Sequence, residues 1–329
     1  MNAFVARTRY FLVPLVTVLV LPLVLSSGSL ATEVLVFAMA ALACNLLLGY
    51  AGLMSFGQGI FFGCGSYALG LLLTKTGVPL FAVLVLVLAA GALIAAVVGW
   101  IAIRQKGIYF VMLTLALAQA FYFLAFSVPS VTGGDNGLLG VPMPPLTLFG
   151  ATLLPNASLW QYYTFVAILF VLVFAGLQRV VDSIFGRTLL AMRDNPDRTT
   201  ALGYNINHLK LVAFMISGAI TALAGALYAM MTGVAPLENI DLNMSEIILV
   251  IAIIGGTGSL PASVLGAIFY VIVSNWLSHI WPRWLMIFGF LLMAISLYLQ
   301  GGLWSACQMI FGRLVPQRRT GAKGRGVAP

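Results

Sequence analysis

The chain has 329 residues, of which 62% are hydrophobic and only 7% charged, with a mean hydropathy of +1.08. Soluble domains carry roughly 45–50% apolar and about 25% charged residues, so this composition excludes a water-soluble globule and identifies an integral membrane protein. The net charge of +8 comes mainly from cations scattered between apolar runs, the pattern of a topology signal and not of a nucleic-acid surface.

The apolar runs are long and continuous, which favours helices of about 20 residues over the alternating pattern of a membrane barrel. Ten candidate spans emerge, at roughly 10–26, 30–48, 55–73, 79–102, 108–127, 160–179, 211–231, 244–260, 262–281 and 284–301. The expected fold is an all-α polytopic bundle of about ten transmembrane helices, with eight to ten compatible with the length. One transmembrane domain is expected over 1–312, with a cytoplasmic loop at 182–210. A basic, disordered cytoplasmic tail is expected over 313–329, carrying Arg313, Arg318, Arg319, Lys323 and Arg325.

The first run follows Arg7 and Arg9, contains two prolines and leads straight into a second apolar stretch, so an uncleaved span is expected and not a signal peptide. The third, 55–73, follows a Gly49-Tyr50-Ala51-Gly52 break and is the segment most open to a re-entrant path. Its Gly59/Gly63 and Ser66/Gly70 pairs have the spacing that lets helix backbones approach closely in lipid. The alternative reading is a broken helix beside a solute path, with freed backbone groups lining a polar cavity. Asn45, Ser55 and Gln58 are the polar side chains available there, and Thr114 and Gln119 those of the 108–127 span.

The loop 128–158 contains Thr132-Gly133-Gly134-Asp135-Asn136-Gly137 followed by Pro142, Pro144 and Pro145, which is dense turn chemistry. Asp135 either caps a turn there or contacts a partner. The glycosylation match at Asn156-Ala157-Ser158 reads as accidental.

The stretch 182–210 is the longest polar segment before the C-terminal tail. Asn195 is placed as an N-cap, Pro196 at the first helical position and Gly203 at a left-handed C-terminal position, predicting a short helix over 196–202. Its charges require water, so it is read as a docking element for a partner. Further on, Ser217, Gly218, Ala222, Ala224, Gly225 and Ala226 imply close helix contact. Glu238 and Asp241 sit in a short outer loop. Gly255-Gly256-Thr257-Gly258-Ser259 is a glycine-rich break that lacks the lysine of a P-loop and echoes the break at 49–59.

No catalytic constellation assembles from this sequence, and no enzyme is expected. His208 and His279 have no ligand-spaced partner, no metal site is expected, and Cys44, Cys64 and Cys307 read as small packing residues. Only Glu33 and Glu246 among the acids approach a span, which argues against a proton-coupled carrier. With the N-terminus in the cytoplasm and each span crossing once, fourteen of the sixteen Lys and Arg residues fall inside, and only Lys75 and Arg283 outside.

Six segments in order carry a family resemblance: Asn45-Leu-Leu-Leu-Gly-Tyr-Ala-Gly-Leu-Met-Ser-Phe-Gly-Gln, Gly107-Ile-Tyr-Phe with Thr114-Leu115, Thr132-Gly-Gly-Asp-Asn-Gly, Gly186-Arg-Thr-Leu-Leu-Ala-Met-Arg-Asp-Asn, Ala201-Leu-Gly-Tyr-Asn and Gly255-Gly-Thr-Gly-Ser. Together they resemble the permease subunits of branched-chain amino-acid ABC importers, the M-type subunit in particular, from about residue 35 to 275. The resemblance implies an inner-membrane heterodimer with a second permease, two cytoplasmic ATP-binding subunits and a periplasmic substrate-binding protein. Both termini would be cytoplasmic, ATP would be bound by the partners, and this chain would need no cofactor of its own.

It further implies that Gly186, Arg187, Arg193, Asp194, Asn195, Pro196, Arg198, Ala201, Leu202 and Gly203 form the coupling element that seats on the ATPase. Asn45, Ser55, Gln58 and Thr114 are the candidates for the translocation path, and Asp135, Glu238 and Asp241 for contact with the binding protein. The sequence departs from the pattern at Thr199 and Thr200, at Gln58 where histidine is expected, and at Tyr298-Leu-Gln-Gly-Gly-Leu-Trp304. These departures bear on the substrate more than on the fold. A urea or short-chain amide permease of the same architecture is one alternative, and a self-sufficient channel or secondary carrier is another from a different class.

Overall fold

The computed structural model describes residues 2–25, 27–75, 77–143, 146–148, 151–154, 158–298 and 301–305. Cys307 and the basic tail expected at 313–329 lie outside the described residues, as do Pro144, Pro145 and Asn156. The chain is nearly all helical: α1 (Asn2–Val24), α2 (Gly28–Asn45), α3 (Gln58–Lys75), α4 (Leu80–Ala102), α5 (Ile108–Phe126), α6 (Pro129–Thr132), α7 (Leu159–Asp182), α8 (Ile184–Asp194), α9 (Pro196–Ala201), α10 (Ile206–Thr232), α11 (Leu242–Gly255), α12 (Leu260–Ile280) and α13 (Trp284–Tyr298). Each of the ten apolar runs read from the sequence carries one of these helices. Among the described residues, six helices are long and apolar enough to cross a membrane: Gly28–Tyr50, Leu80–Ala102, Ile108–Phe126, Leu159–Asp182, Ile206–Thr232 and Leu260–Ile280. Val13–Val24, Leu242–Gly255 and Trp284–Ile295 are shorter apolar helices.

α2 is the axis of the bundle. It is apolar on every side, as a helix with no solvent-facing stripe must be, and 89% of its span is buried. α7, α10, α11 and α12 pack around it. The Phe37 ring lies 5.8–6.2 Å from Phe62, Tyr228 and Tyr270, joining α2 to α3, α10 and α12.

α10 is the second organiser, lying along both α3 and α4. The small residues read from the sequence sit where the helices cross. A Cβ at Gly65 would come 1.9 Å from the Ala222 carbonyl oxygen, and a Cβ at Gly225 would come 1.9 Å from that of Phe62. The two backbones therefore touch, and the contact gains dispersion that longer side chains would prevent. The Ser66 hydroxyl donates to the Gly225 carbonyl at 2.8 Å and accepts from Asn239 Nδ2 at 3.1 Å, bonding the same crossing.

Element ends follow local chemistry. Ser158 and Gln161 form a reciprocal capping box that starts α7. The Asn205 side chain accepts from the His208 N–H at 3.2 Å, so α10 begins at Ile206, earlier than the apolar run alone indicates. The expected span 244–260 is shorter than read, because α11 stops at Gly255 and Gly256 turns the chain at φ +118°. Likewise α3 starts at Gln58, after a non-helical 51–57.

The loops around 138–154 and 234–235 contain short strands where turn chemistry alone is read from the residues. β1 (Leu138–Leu139) pairs antiparallel with β4 (Val234–Ala235), and β2 (Leu146–Leu148) with β3 (Ala151–Leu154).

Replacing Gly225 by Leu is expected to lower stability by about 2 kcal/mol or more through overpacking of the α3–α10 crossing. Gly176→Leu in α7, where nothing lies within 4 Å of the new Cβ, is the control and should melt like wild type in detergent.

Candidate functional site

The polar stretch 182–210 folds into two helices, not one. The Ser183 hydroxyl caps α8, accepting from the Gly186 N–H at 3.4 Å and donating to the Val180 carbonyl at 2.6 Å. A Cβ at Gly186 would lie 2.2 Å from the Val181 carbonyl oxygen, so only glycine permits this close return from α7. α8 is amphipathic: Gly186, Thr188, Leu189 and Met192 are buried, and Arg187 and Asp194 face solvent. The sequence reading predicted only the second helix. A Ser cap at 183 followed by apolar residues at 185, 189 and 192 was the available signal.

α9 forms as its punctuation predicts. Asn195 Oδ1 accepts the Arg198 N–H at 3.0 Å, Pro196 occupies the first helical position, and Gly203 closes the turn at φ +88° with its N–H on the Thr200 carbonyl at 2.9 Å. Thr199 is buried, whereas Pro196, Asp197, Arg198, Ala201, Leu202 and Gly203 are exposed. Leu202 is 78% exposed, Ile184 70% and Tyr204 43%. Large apolar side chains held out beside charges on a water-facing element are what a docking surface requires. Ile184 and Tyr204 were not singled out from the sequence.

The polar residues proposed for a path are in the interior. Asn45, Gln58 and Thr114 are fully buried and Ser55 nearly so. Asn45 Nδ2 donates to the Ser263 hydroxyl at 2.7 Å and the Ser259 carbonyl at 2.9 Å, while its Oδ1 accepts the Gly258 N–H at 3.0 Å. Gln58 Nε2 donates to Ser217 at 3.1 Å and its Oε1 accepts from Thr221 at 2.7 Å, joining α3 to α10. Thr114 accepts the Phe56 N–H at 3.3 Å, and Ser55 accepts that of Gly57 at 3.1 Å. Each is thus engaged within the chain, and of their side-chain partners Thr221 and Ser263 were not singled out and Ser217 was read only as a small packing residue, because isolated Ser and Thr on an apolar helix give no periodic signal. Ser245 accepts the Gly59 N–H at 2.7 Å.

A cavity of about 640 Å³ opens beneath α8 and α9. Its walls are the non-helical 51–54, the α4–α5 turn 103–107, Met192 and Arg193 of α8, Pro196, Asp197 and Thr200 of α9, and Lys210 of α10. Arg104, Lys106, Arg193 and Lys210 line it with one acid, Asp197, so the cavity is cationic. Arg104 is held over the Trp100 ring at 4.2 Å.

On the opposite side, the β1–β4 pairing draws the Thr132–Gly137 turn against the 233–241 loop. Gly133 and Gly137 adopt φ +78° and +67°, and a Cβ at Gly137 would lie 2.5 Å from the Ala235 carbonyl oxygen. This brings Asp135 and Glu238, both exposed, to the same loop cluster. Asp241 is partly occupied locally: its carboxylate accepts from the Leu242 N–H at 2.7 Å and Asn243 Nδ2 at 2.6 Å. Among the described residues, no three His, Cys, Asp or Glu side chains come together as a metal site.

Asn45→Ala strands several buried groups of the 256–263 segment at once, so it should destabilise by about 2–3 kcal/mol. Ser55→Ala removes one local contact and should cost less than about 1 kcal/mol. Melting temperatures of the two variants in the same detergent check the order.

Over residues 27–297 the chain matches the family described as branched-chain amino acid transport system / permease component. It is 28% identical over 287 residues to the high-affinity branched-chain amino acid transport system permease protein LivM of Salmonella typhimurium, covering 81% of this chain and 68% of that protein. A probable branched-chain amino acid transport permease protein LivM of Methanocaldococcus jannaschii is 26% identical over 80% of this chain and 88% of its own length. The autoinducer 2 import system permease protein LsrC of Photorhabdus luminescens is 29% identical over 44% of this chain and 46% of its own. No solved structure matches the chain. The chain belongs to the permease component family of branched-chain amino acid transport systems.

Proposed function

We propose that this chain is the membrane-spanning permease subunit of an ATP-binding-cassette importer that carries branched-chain amino acids inward. The observation that carries the reading is the α8–α9 element. It is rigidly capped, water-facing, and presents Leu202 at 78% exposure beside Arg198 and Gly203, while its other face is built into the bundle. Such an element passes force from a soluble motor to a membrane domain, and the likeness to LivM permeases supports that use of it. ATP is bound and hydrolysed by two separate cytoplasmic subunits. A second permease completes the path, and a periplasmic binding protein delivers the solute to the loop cluster carrying Asp135, Glu238 and Asp241.

In this reading all ten apolar helices cross the inner membrane, both termini are cytoplasmic, and fourteen of sixteen Lys and Arg side chains lie on the cytoplasmic side. Asn45, Ser55, Gln58 and Thr114 hold the wall of the path in shape from behind, and the non-helical 51–54 segment forms its cytoplasmic edge. The partial likeness to an autoinducer 2 permease favours one second reading, the same machine with a different small polar cargo.

Pull-down of the tagged chain in mild detergent should recover a second permease and two ATPases. Leu202→Asp should lose the ATPases, keep the second permease and melt like wild type, because Leu202 makes little contact within the chain. Gly203→Trp should lose transport as well, although its φ of +88° adds backbone strain that makes it the less selective probe. A chain that purifies alone and moves leucine into liposomes without ATP would be a carrier or channel instead. Uptake of leucine, isoleucine, valine, urea and autoinducer 2 by the reconstituted complex separates the cargo readings.

A further inference from the structure

We infer that Arg193 is the tie between the docking element and the two helix breaks of the membrane domain, so that movement of α8 and α9 is delivered to both breaks through one guanidinium. The inference rests on the importer reading and assigns the positioning residue within it.

The first break follows α2. Residues Leu46–Tyr50 wind as a π-turn, with the Ala51 N–H on the Leu46 carbonyl at 3.2 Å, and the chain then runs non-helically to Gln58. The Leu53 N–H, which a continuing α-helix would give to the Gly49 carbonyl, goes to the Leu47 carbonyl at 2.9 Å instead. The Gly49 carbonyl is taken by Arg193 Nη1. The second break, 256–259, lies against the first: a Cβ at Gly49 would sit 2.5 Å from the Gly258 nitrogen, and Asn45 holds Gly258 and Ser259 from the adjoining turn. The chain after α13 joins the same point, since a Cβ at Gly302 would be 2.6 Å from the Gly256 backbone.

Arg193 enters this junction from the last turn of α8. Its stem lies over Gly52, where a Cβ would approach its Cγ to 2.7 Å, and its Nη1 is 3.9 Å from the position of a Cβ on Gly258. Its Nη2 and Nε reach Asp194 Oδ1 at 3.3 and 3.4 Å, so the same guanidinium is held from the docking side. A charged donor to a buried carbonyl is among the stronger single hydrogen bonds, and this one spans 144 residues of sequence. α8 is continuous with α9 through the Asn195 cap, so a displacement at the exposed face of α9 is a displacement of Arg193.

The test uses the complete complex in nanodiscs, with peptide-level hydrogen exchange followed with and without a non-hydrolysable ATP analogue. In wild type the analogue is expected to change exchange at 184–203 and, together with it, at 46–57 and 255–260. Arg193→Met keeps the stem but removes the donor, and is the selective probe; Gly52→Ala displaces the stem without altering the outer face of α9 but, at φ +69°, also strains the first break. In both, 184–203 should still respond, while the response at the two breaks and ATP-driven leucine uptake fall about tenfold. Arg193→Lys, which retains a charged donor group but not the planar fork, should restore part of each. Breaks that respond equally in wild type and variants would overturn the inference, as would loss of the ATPases from either variant, which would make Arg193 a docking contact. If no ATPase accompanies the wild-type chain, or 184–203 ignores nucleotide there, it is the importer reading itself that fails.

Discussion

The constraint on which this structure depends is the absence of water in the hydrocarbon core. A backbone N–H or C=O freed from a helix there must find another partner inside the protein, or it costs several kcal/mol. The chain breaks its helices after Tyr50 and after Gly255, and it does so only where other parts of the chain receive the freed groups. Asn45 takes the Gly258 N–H and the Ser259 carbonyl, Thr114 takes the Phe56 N–H, Ser245 that of Gly59, and Arg193 the Gly49 carbonyl. The interior polar side chains are therefore conditions for the breaks, and the breaks give a helical bundle a non-helical edge at its cationic cavity.

The same constraint explains the glycine usage. Once two breaks must meet, their backbones have to approach within contact distance, and Gly49, Gly256 and Gly258 leave no side chain between them. The α3–α10 crossing solves a related problem by the same means. Lipid offers no hydrophobic reason for two apolar helices to associate, so close backbone contact at Gly65 and Gly225 supplies dispersion in its place. α10 is thereby anchored to α3 while its N-terminal end carries the polar loop. The α8–α9 element and the breaks share one frame.

Much of this was legible in the residues, and the reasons differ from element to element. The apolar runs gave helix positions because a membrane helix must be apolar along its whole length, and Asn195, Pro196 and Gly203 gave α9 because each acts locally. α8 was not legible as a separate helix, since its buried half is set by the bundle it packs on and its cap at Ser183 is a single weak cue. The polar pairings were hidden for a stronger reason: Asn45 finds Ser263 across 218 residues, and no local pattern encodes that. The close-packing reading of the segment after Gly49 holds, and the backbone before it is broken. Its glycines pack closely, and its preceding backbone lines a cavity.

Every buried polar side chain among the described residues is neutral: Thr, Ser, Asn or Gln. Groups of this kind bond and release solutes and backbone alike, but they do not change charge between pH 5 and 8. A bundle built from them is a frame whose arrangement is fixed by hydrogen bonds worth about 1 kcal/mol each. A cluster of charges lies instead at one end of the bundle, on 103–107, α8, α9 and Lys210. Separating the two chemistries lets the interior stay neutral and close-packed while the charges stay at its rim. Arg193 belongs to both, carried on the rim and bonded to the Gly49 carbonyl of the interior, so a change at either is felt at the other.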